Sequence, residues 1–407
     1  MALDDAAVSR EAYVDGAFVT GPDESFDLVR GPGFERARVE LLEIDADLID
    51  RIVSADGTIA FKGLADDVAV VCSSDKTYAV TRVETSNEML LVGPPIDDEE
   101  AVVEAAAAAA ATNGRRRATA RARATSHLDL TEIAPRLGRL REMMSGCAFT
   151  GEGGVEGMET DDAASGGGAL DGYAFEDLDA RVQASATEIT RCLEDELVAI
   201  EIDGKWRGVD PEYRLHALSM LAVSASGNGW ALDALPEAEV TRAMTSDGFI
   251  PEMAMNTLRA FATPNDDGTS WALDEERVCR ALAERVLRDG LGLKNWRLVD
   301  MMETWRNKLS EIGLGAVEVR EEYLAGLALI ERPEKSTEAF VQTFIAKDLP
   351  TEPQDRFKAL WALKPRWSMA ELEPYLKGQA RPGQTIESQL LKHCRVIQGK
   401  PVLYSKR

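Results

Sequence analysis

Histidine and cysteine are scarce in this chain. Its 407 residues include three histidines (His127, His216, His393) and five cysteines (Cys72, Cys147, Cys192, Cys279, Cys394). A tetrahedral zinc site draws four ligands from close CxxC or HxxxH pairs. The neighbours His393 and Cys394 have no such companion, so they read as structural and no metal is expected. An odd number of isolated cysteines argues for thiols in a reducing compartment rather than a disulfide framework. Motifs that cradle phosphate or activate a nucleophile are also missing. No GxxxxGK[ST], GxSxG or HExxH occurs, and Gly204-Lys205 and Gly399-Lys400 lack the earlier glycine that a phosphate loop needs. Acidic neighbours such as Asp97-Asp98 or Glu194-Asp195-Glu196 are what a chain with 71 acidic residues contains by composition. No catalytic residue and no cofactor is assigned, and the chain reads as a binding protein rather than an enzyme. No apolar run approaches the ~20 residues of a membrane span. The opening MALDDAAVSREAYVDG is acidic and lacks the apolar centre of a secretory signal.

Positive charge is in short supply too, and it is unevenly placed. The net charge is −25. From Arg356 to Arg407, eleven Lys/Arg stand against three Glu, which gives +8 there and leaves −33 on everything before it. Such an acidic body does not suit nucleic acid or an anionic membrane. A basic terminal block on it is an address for a polyanion. That polyanion is either nucleic acid or an acidic protein face, including the chain's own body.

With 407 residues, 45% of them hydrophobic, the chain holds several domains. Residues 1–24 read as an acidic leader. Residues 25–96 are β-rich: Ile59–Lys62, Val68–Ser73, Thr77–Val83 and Glu88–Val92 are short β-branched runs separated by turn signals. About seventy residues is thin for a barrel that closes by itself, and an open sheet has edges to manage. This domain is therefore expected to be a small barrel-like sheet completed by a partner chain. Residues 97–175 carry an alanine run, the cluster Arg115–Arg117, Arg121 and Arg123, a short helix near Ile133–Met144, and the glycine-rich GEGGVEGMETDDAASGGGALDG. They read as insertion and linker, with a nucleic-acid or import patch as the other reading of the arginines.

Helices dominate after that. Leu178, Val182, Ile189, Leu193 and Leu197 form one apolar stripe. A pattern of helices followed by a short β piece then recurs over 176–264, 265–333 and 334–407. Expected helices include Glu212–Ala225, Glu237–Met244, Pro251–Phe261, Asp274–Arg288, Trp296–Lys308 and Val319–Ile330. Units of this size match winged-helix domains, so the expected class is α+β, with tandem C-terminal winged helices after the sheet. In the last unit, Ser368 and Glu371 make a capping box. Trp361 and Trp367 are candidate core anchors, and Thr385 caps IESQLLKHC. A hairpin turning at Gly399 ends the chain. Candidate nucleic-acid contacts are Lys364, Arg366, Lys377, Arg381, Lys392, Arg395, Lys400, Lys406 and Arg407, which would straddle phosphates without reading sequence.

Particular strings then carry a resemblance. The run DLPTEPQDRFKALWAL from Asp348, with Trp367 and AELEPYL through Leu376, resembles the C-terminal signature of the sister chromatid cohesion protein Dcc family. DKTY from Asp75, Thr85–Asn87, MLLV from Met89, IDGKWR from Ile202 and YLAGLALIER from Tyr323 agree in order. Residues 97–175 depart from the family pattern. The resemblance implies a non-ATPase subunit of an alternative clamp loader built on a replication factor C-like core. Its sheet would join the large and small accessory subunits through Tyr78, Val80, Met89, Leu90, Leu91 and Val92. Its first winged helix would face the DNA polymerase epsilon catalytic subunit, with Lys205, Trp206 and Arg207 as candidates, and the later two would face DNA. The complex would act on PCNA in the nucleus, at replication forks, in support of cohesion. The competing reading is a stand-alone winged-helix regulator, which would show sequence preference and self-association.

Overall fold

The computed structural model describes residues 26–92, 116–151, 171–377 and 385–406, apart from short gaps at 32–33, 36, 38, 45–47, 50–58, 294–295, 334–336, 351–352 and 400–401. The protein is mixed α+β and divides into an N-terminal unit ending at Ile133 and a C-terminal unit from Ala134.

The N-terminal unit is a six-stranded sheet: β1 (Phe26–Arg30), β2 (Leu41–Glu43), β3 (Ala60–Lys62), β4 (Val70–Cys72), β5 (Thr77–Val92) and β6 (Arg116–Ile133). Strands β3 to β6 pair antiparallel in sequence order. At 18 residues, β6 spans about 60 Å. It is long enough to carry two partners on its other side, with β1 and β2 both running parallel to it. All three residues of β4 are buried. Val71 packs with Leu48 and Tyr78, while Val70 and Cys72 pack with Ile133. The sheet is thus covered on both faces at this end, as alternation along a strand requires.

Two sequence expectations change here. From Arg116 onward the arginine cluster is not linker: 116–133 is a strand in which Ala120, Ala122 and Ala124 are buried and alternate with Arg121, Arg123 and Thr125. The sheet therefore runs past residue 96, to Ile133. Ser86-Asn87, the turn signal between the runs Thr77–Val83 and Glu88–Val92, is not a chain reversal either. It lies in a bulge between Glu84 and Met89 of a continuous β5, where the Thr85 hydroxyl donates to the Asn87 carbonyl at 2.6 Å. A long β6 gives β5 a partner on both sides of the bulge, so the chain need not reverse. The leader 1–24, the alanine run and the glycine-rich run lie outside the described residues.

The C-terminal unit begins with α1 (Gly138–Gly146), α2 (Phe175–Arg181), α3 (Ala186–Arg191), a π-helical turn (Cys192–Glu196) and the hairpin β7 (Ile200–Ile202) and β8 (Lys205–Arg207). Asp203 and Gly204 both have positive φ, as a two-residue turn of primed type demands. Of the expected apolar stripe, Leu178, Val182, Ile189 and Leu193 are buried and Leu197 is half-buried, but the helix is broken after Arg181. The Gln183 carbonyl accepts from the Arg136 N–H in the break, and Ser185 with Glu188 forms a capping box that restarts the helix. Val198, which is β-branched, sits at φ 44°. Its carbonyl is pinned by Arg214 Nη2 at 3.0 Å and Asn256 Nδ2 at 2.7 Å.

Three modules of one element order follow. The first is α4 (Pro211–Asn228), β9 (Leu235–Pro236), α5 (Glu237–Ser246), α6 (Pro251–Phe261), β10 (Ala262–Pro264) and β11 (Ser270–Leu273). The second is α7 (Glu275–Asp289), β12 (Trp296–Arg297), α8 (Leu298–Glu311), a 3₁₀ turn (Glu321–Leu324), β13 (Ala328–Glu331) and β14 (Phe340–Thr343). The third is α9 (Pro353–Leu363), β15 (Arg366–Ser368), α10 (Met369–Leu376), α11 (Ile386–His393), β16 (Cys394–Ile397) and β17 (Leu403–Lys406). Each closes with a three-stranded sheet whose last strand lies between the other two. The expected helix Val319–Ile330 is one 3₁₀ turn and a strand, because Gly326 takes φ 76° and ends the helical path. Helix α4 serves two cores: Ala217, Leu221 and Ala225 line the first, and Leu218 and Ala222 the second.

The third core gathers Phe357, Leu360, Trp367, Leu372, Tyr375, Leu376, Leu390 and Cys394. Trp361 packs against this core and Trp367 is fully buried within it. Arg356 is buried there as well, and its guanidinium donates to four main-chain carbonyls: Ala346, Leu349, Pro350 and Tyr375. Burial pushes its pKa down. Replacing Arg356 with Ala strands these buried acceptors and is expected to cost about 2–4 kcal/mol in urea unfolding. A cost below about 0.5 kcal/mol would contradict this account of the third core.

Candidate functional site

The candidate contacts of the terminal block do not form one patch. Arg356, which the charge count includes, is internal. Lys364 lies between a helix end and a carboxylate: its Nζ is 2.5 Å from Glu371 Oε1 and 5.7 Å from the Trp367 ring centre. Lys358 pairs with Asp355 at 2.9 Å. Arg366 on β15, Lys377 at the end of α10, Lys392 on α11, Arg395 on β16 and Lys406 on β17 are exposed. Arg381, Lys400 and Arg407 lie outside the described residues. The cationic surface of this module is therefore smaller than its sequence count, and it centres on the sheet.

Local chemistry explains this placement. Ser368 Oγ accepts from the Glu371 N–H, and Glu371 Oε2 accepts from the Ser368 N–H at 2.8 Å. This double cap starts α10 directly after β15, which fixes Trp367 inward and Arg366 outward. Thr385 caps α11 through the Ser388 N–H. At its far end, His393 stacks on Phe357 with ring centres 4.9 Å apart, and burial pushes the Cys394 thiol up to about 12. Among the described residues, no group of three or more His, Cys, Asp or Glu could hold a metal ion.

The other candidates divide between surface and interior. Tyr78 is buried and Val80 packs against its cluster. Leu90 and Leu91, 38% and 39% exposed, lie on β5 beyond the bulge, with Met89 and Val92 half-buried. Sequence reasoning missed Val83 on the same strand, and Phe61, Leu64 and Val68 at the β3 edge, all exposed. Each was legible as an apolar residue in a β-rich region, but its face depends on the pairing. Of the trio on β8, Lys205 pairs with Asp171 at 2.9 Å. That hydrogen bond, and then the charge of Lys205, hold the Asp171 carboxyl below its ordinary value. Trp206 packs against the core formed by α1, α2 and α3. Arg207 donates to the Cys147 and Ala148 carbonyls and lies over Phe149. Of the three, only Lys205 pairs with a carboxylate among the described residues.

A sheet unit with open apolar positions, followed by three repeats of one helix-and-sheet module, is the build of a protein that makes contacts at several places. The sequence model of the Sister chromatid cohesion protein Dcc1 family matches residues 39–376, and the chain belongs to that family. It is similar to Sister chromatid cohesion protein DCC1 of Danio rerio, with 28% identity over 87% of this chain and 85% of the relative. The mouse protein of that name is 27% identical over 87% and 83%, and the human one 26% over 93% and 91%. The matched span includes residues 116–151, which the structure places in β6, α1 and the segments beside them.

Glu371 yields a pH prediction. Burial alone would raise its pKa, but the Lys364 hydrogen bond, the two Ser368 bonds and the Lys364 charge outweigh it, and the carboxyl lies below its ordinary value. A carboxylate depressed in the folded state stabilises above its unfolded pKa, about 4.3, and that stability is lost as pH falls through the folded value. Replacing Glu371 with Gln is expected to cost about 0.5–2 kcal/mol at pH 7. The difference from wild type should shrink as unfolding is measured from pH 5 downward. A difference that stays constant to pH 3 would contradict the cap's ionic character.

Proposed function

We propose that this protein is a non-catalytic accessory subunit of an alternative, replication factor C-like clamp loader, and that it supports sister chromatid cohesion in the nucleus. The N-terminal sheet joins the large and small accessory subunits, whose strands complete it as a barrel. The C-terminal modules act as winged helices that tie the complex to the DNA polymerase epsilon catalytic subunit and to DNA. ATP hydrolysis and the handling of PCNA belong to the complex and not to this chain.

One observation carries the reading: β5 and β6 run far beyond the sheet's two-sided core and leave Val83, Leu90 and Leu91 exposed. Apolar residues placed along a paired ladder suit a permanent partner face. Family membership supports the assignment, because the relatives are named for sister chromatid cohesion. The module order of helix, strand, two helical segments and two strands, with the last strand central, supports the winged-helix assignment.

The test is co-expression of the full chain with the two accessory subunits, comparing wild type with a Val83→Asp, Leu90→Asp, Leu91→Asp variant. The variant is expected to purify alone while keeping the wild-type circular dichroism spectrum. A folded variant that still purifies with both subunits would overturn the ladder as the joining face.

A further inference from the structure

The three modules can be aligned residue by residue through their sheets. Leu235, Trp296 and Trp367 each sit one residue before the cap of the following helix, and each pairs with the central strand, at Trp271, Val341 and Tyr404. One step along the ladder, the first module pairs Thr263 with Ala272, and the second pairs Leu329 with Gln342. The third pairs Arg395 with Ser405, and Ser405 also pairs with Arg366 on its other side. Leu329 is partly buried against the third module's core. The third module thus carries two arginines where its siblings hold uncharged residues.

Register and burial decide where these arginines point. Trp367 is fully buried and adjoins Arg366, so alternation turns Arg366 to the outer face. Arg395 adjoins the buried Cys394 and is exposed on that same face. Adjacent strands lie about 4.8 Å apart, so the two arginine backbones stand about 10 Å apart, with the Ser405 hydroxyl between them. Neither arginine has a carboxylate partner among the described residues. Ser368, Ile397 and Leu403 on the rest of this face are uncharged. Helix α11 is different: its exposed residues include Glu387, Leu391 (63% exposed) and Lys392, with no net charge among them. A phosphate backbone is repelled by Glu387 there, whereas the Glu371 carboxylate that reaches Ser368 on the sheet is already paired with Lys364.

We infer that the third module docks on the phosphodiester backbone of nucleic acid through the outer face of its sheet. Arg366 and Arg395 converge over Ser405 on one phosphate, and α11 reads no bases. This rests on the nucleic-acid reading of the C-terminal module and assigns the surface that makes the contact. A paired guanidinium site with a hydroxyl donor between its arms suits a phosphate in geometry as well as charge. Binding of this kind neutralises backbone charge, so it is indifferent to base sequence and sensitive to salt.

The test titrates full-length protein into a short fluorescein-labelled duplex of arbitrary sequence, between 50 and 200 mM salt. Three chains are compared: wild type, R366Q/R395Q on the sheet, and L391S/K392Q on α11. The sheet variant is expected to bind about tenfold more weakly at 100 mM salt. Its slope of log affinity against log salt should be shallower by about 0.9, the value of one lost phosphate contact. The α11 variant is expected to stay within about twofold of wild type. Both arginines are exposed, so near-ultraviolet circular dichroism should show the fold unchanged. Ser405→Asp, which sets a carboxylate between the two guanidinium groups, is expected to reproduce the loss. A sheet variant with wild-type affinity and slope beside a weakened α11 variant would overturn the sheet-face docking and leave nucleic-acid binding standing. Wild-type protein that fails to bind at 50 mM salt would overturn both.

Discussion

Each C-terminal module depends on one pairing constraint: its last strand enters between the two strands before it. In the third module β17 sits between β15 and β16, so residues near 367, 396 and 404 meet in one row. The first strand of the trio lies before two helical segments, and the last lies after them. Closing the sheet therefore fixes both ends of the module at once, and the helices between are held to the core by strands they do not belong to. This explains why sheets of two to four residues per strand persist, since an isolated hairpin of that length is marginal in water. Their stability comes from residues such as Trp367, Leu235 and Val341, which the pairing points into the core.

The same constraint separates the roles of the modules. In the first, α6 is enclosed: Asn256 is spent on the carbonyls of Val198 and Ala199, and Met253, Leu258 and Phe261 are buried. In the second, the equivalent helix has shrunk to a single 3₁₀ turn. The third has an eight-residue third helix, and two arginines are exposed on the outer face of its sheet. In a chain of net charge −25, many exposed cations elsewhere are paired with acidic neighbours. Arg297 shows this, with Asp300 at 2.7 Å and Glu338 at 3.6 Å. On the sheet of the third module, Arg366 and Arg395 have no carboxylate partner among the described residues.

Much of this was legible from the chain. The α+β class, the capping box at Ser368 and Glu371, the burial of Trp367 and the recurrence of the module follow from local signals with clear physical causes. Strand β6 was not legible. Its alternation of Arg121, Arg123 and Thr125 with Ala120, Ala122 and Ala124 has the two-residue period of a strand, but apart from Thr125 in residues with little preference for sheets. Composition pointed to a linker, and only pairing with β5 reveals the period. Arg356 was misread for a related reason. A count of charges treats every cation as surface, whereas its environment is four carbonyls drawn from segments up to 19 residues away. The face taken by Leu90 and Val83 depends likewise on a bulge that sequence reasoning took for a turn.

The bulge also bears on how the N-terminal unit meets its surroundings. Sheet edges in soluble proteins are normally guarded by charge, proline or covering segments. At the β3 edge Lys62 is the only charged residue of the strand, and its side chain is buried, while Phe61 is 56% exposed and Val68 nearby 69%. At the other end of the sheet, β5 and β6 continue as a ladder with leucines facing out. An unguarded edge and an open ladder in one small unit would be an aggregation hazard in isolation. Strands from another chain would resolve both, which is the physical ground for proposing that the N-terminal sheet is one part of a composite. The charge of the chain then has a place in the same argument. On that proposal an acidic body would keep such surfaces soluble before assembly, and Arg366 and Arg395 on the third module would be open to a polyanion afterwards.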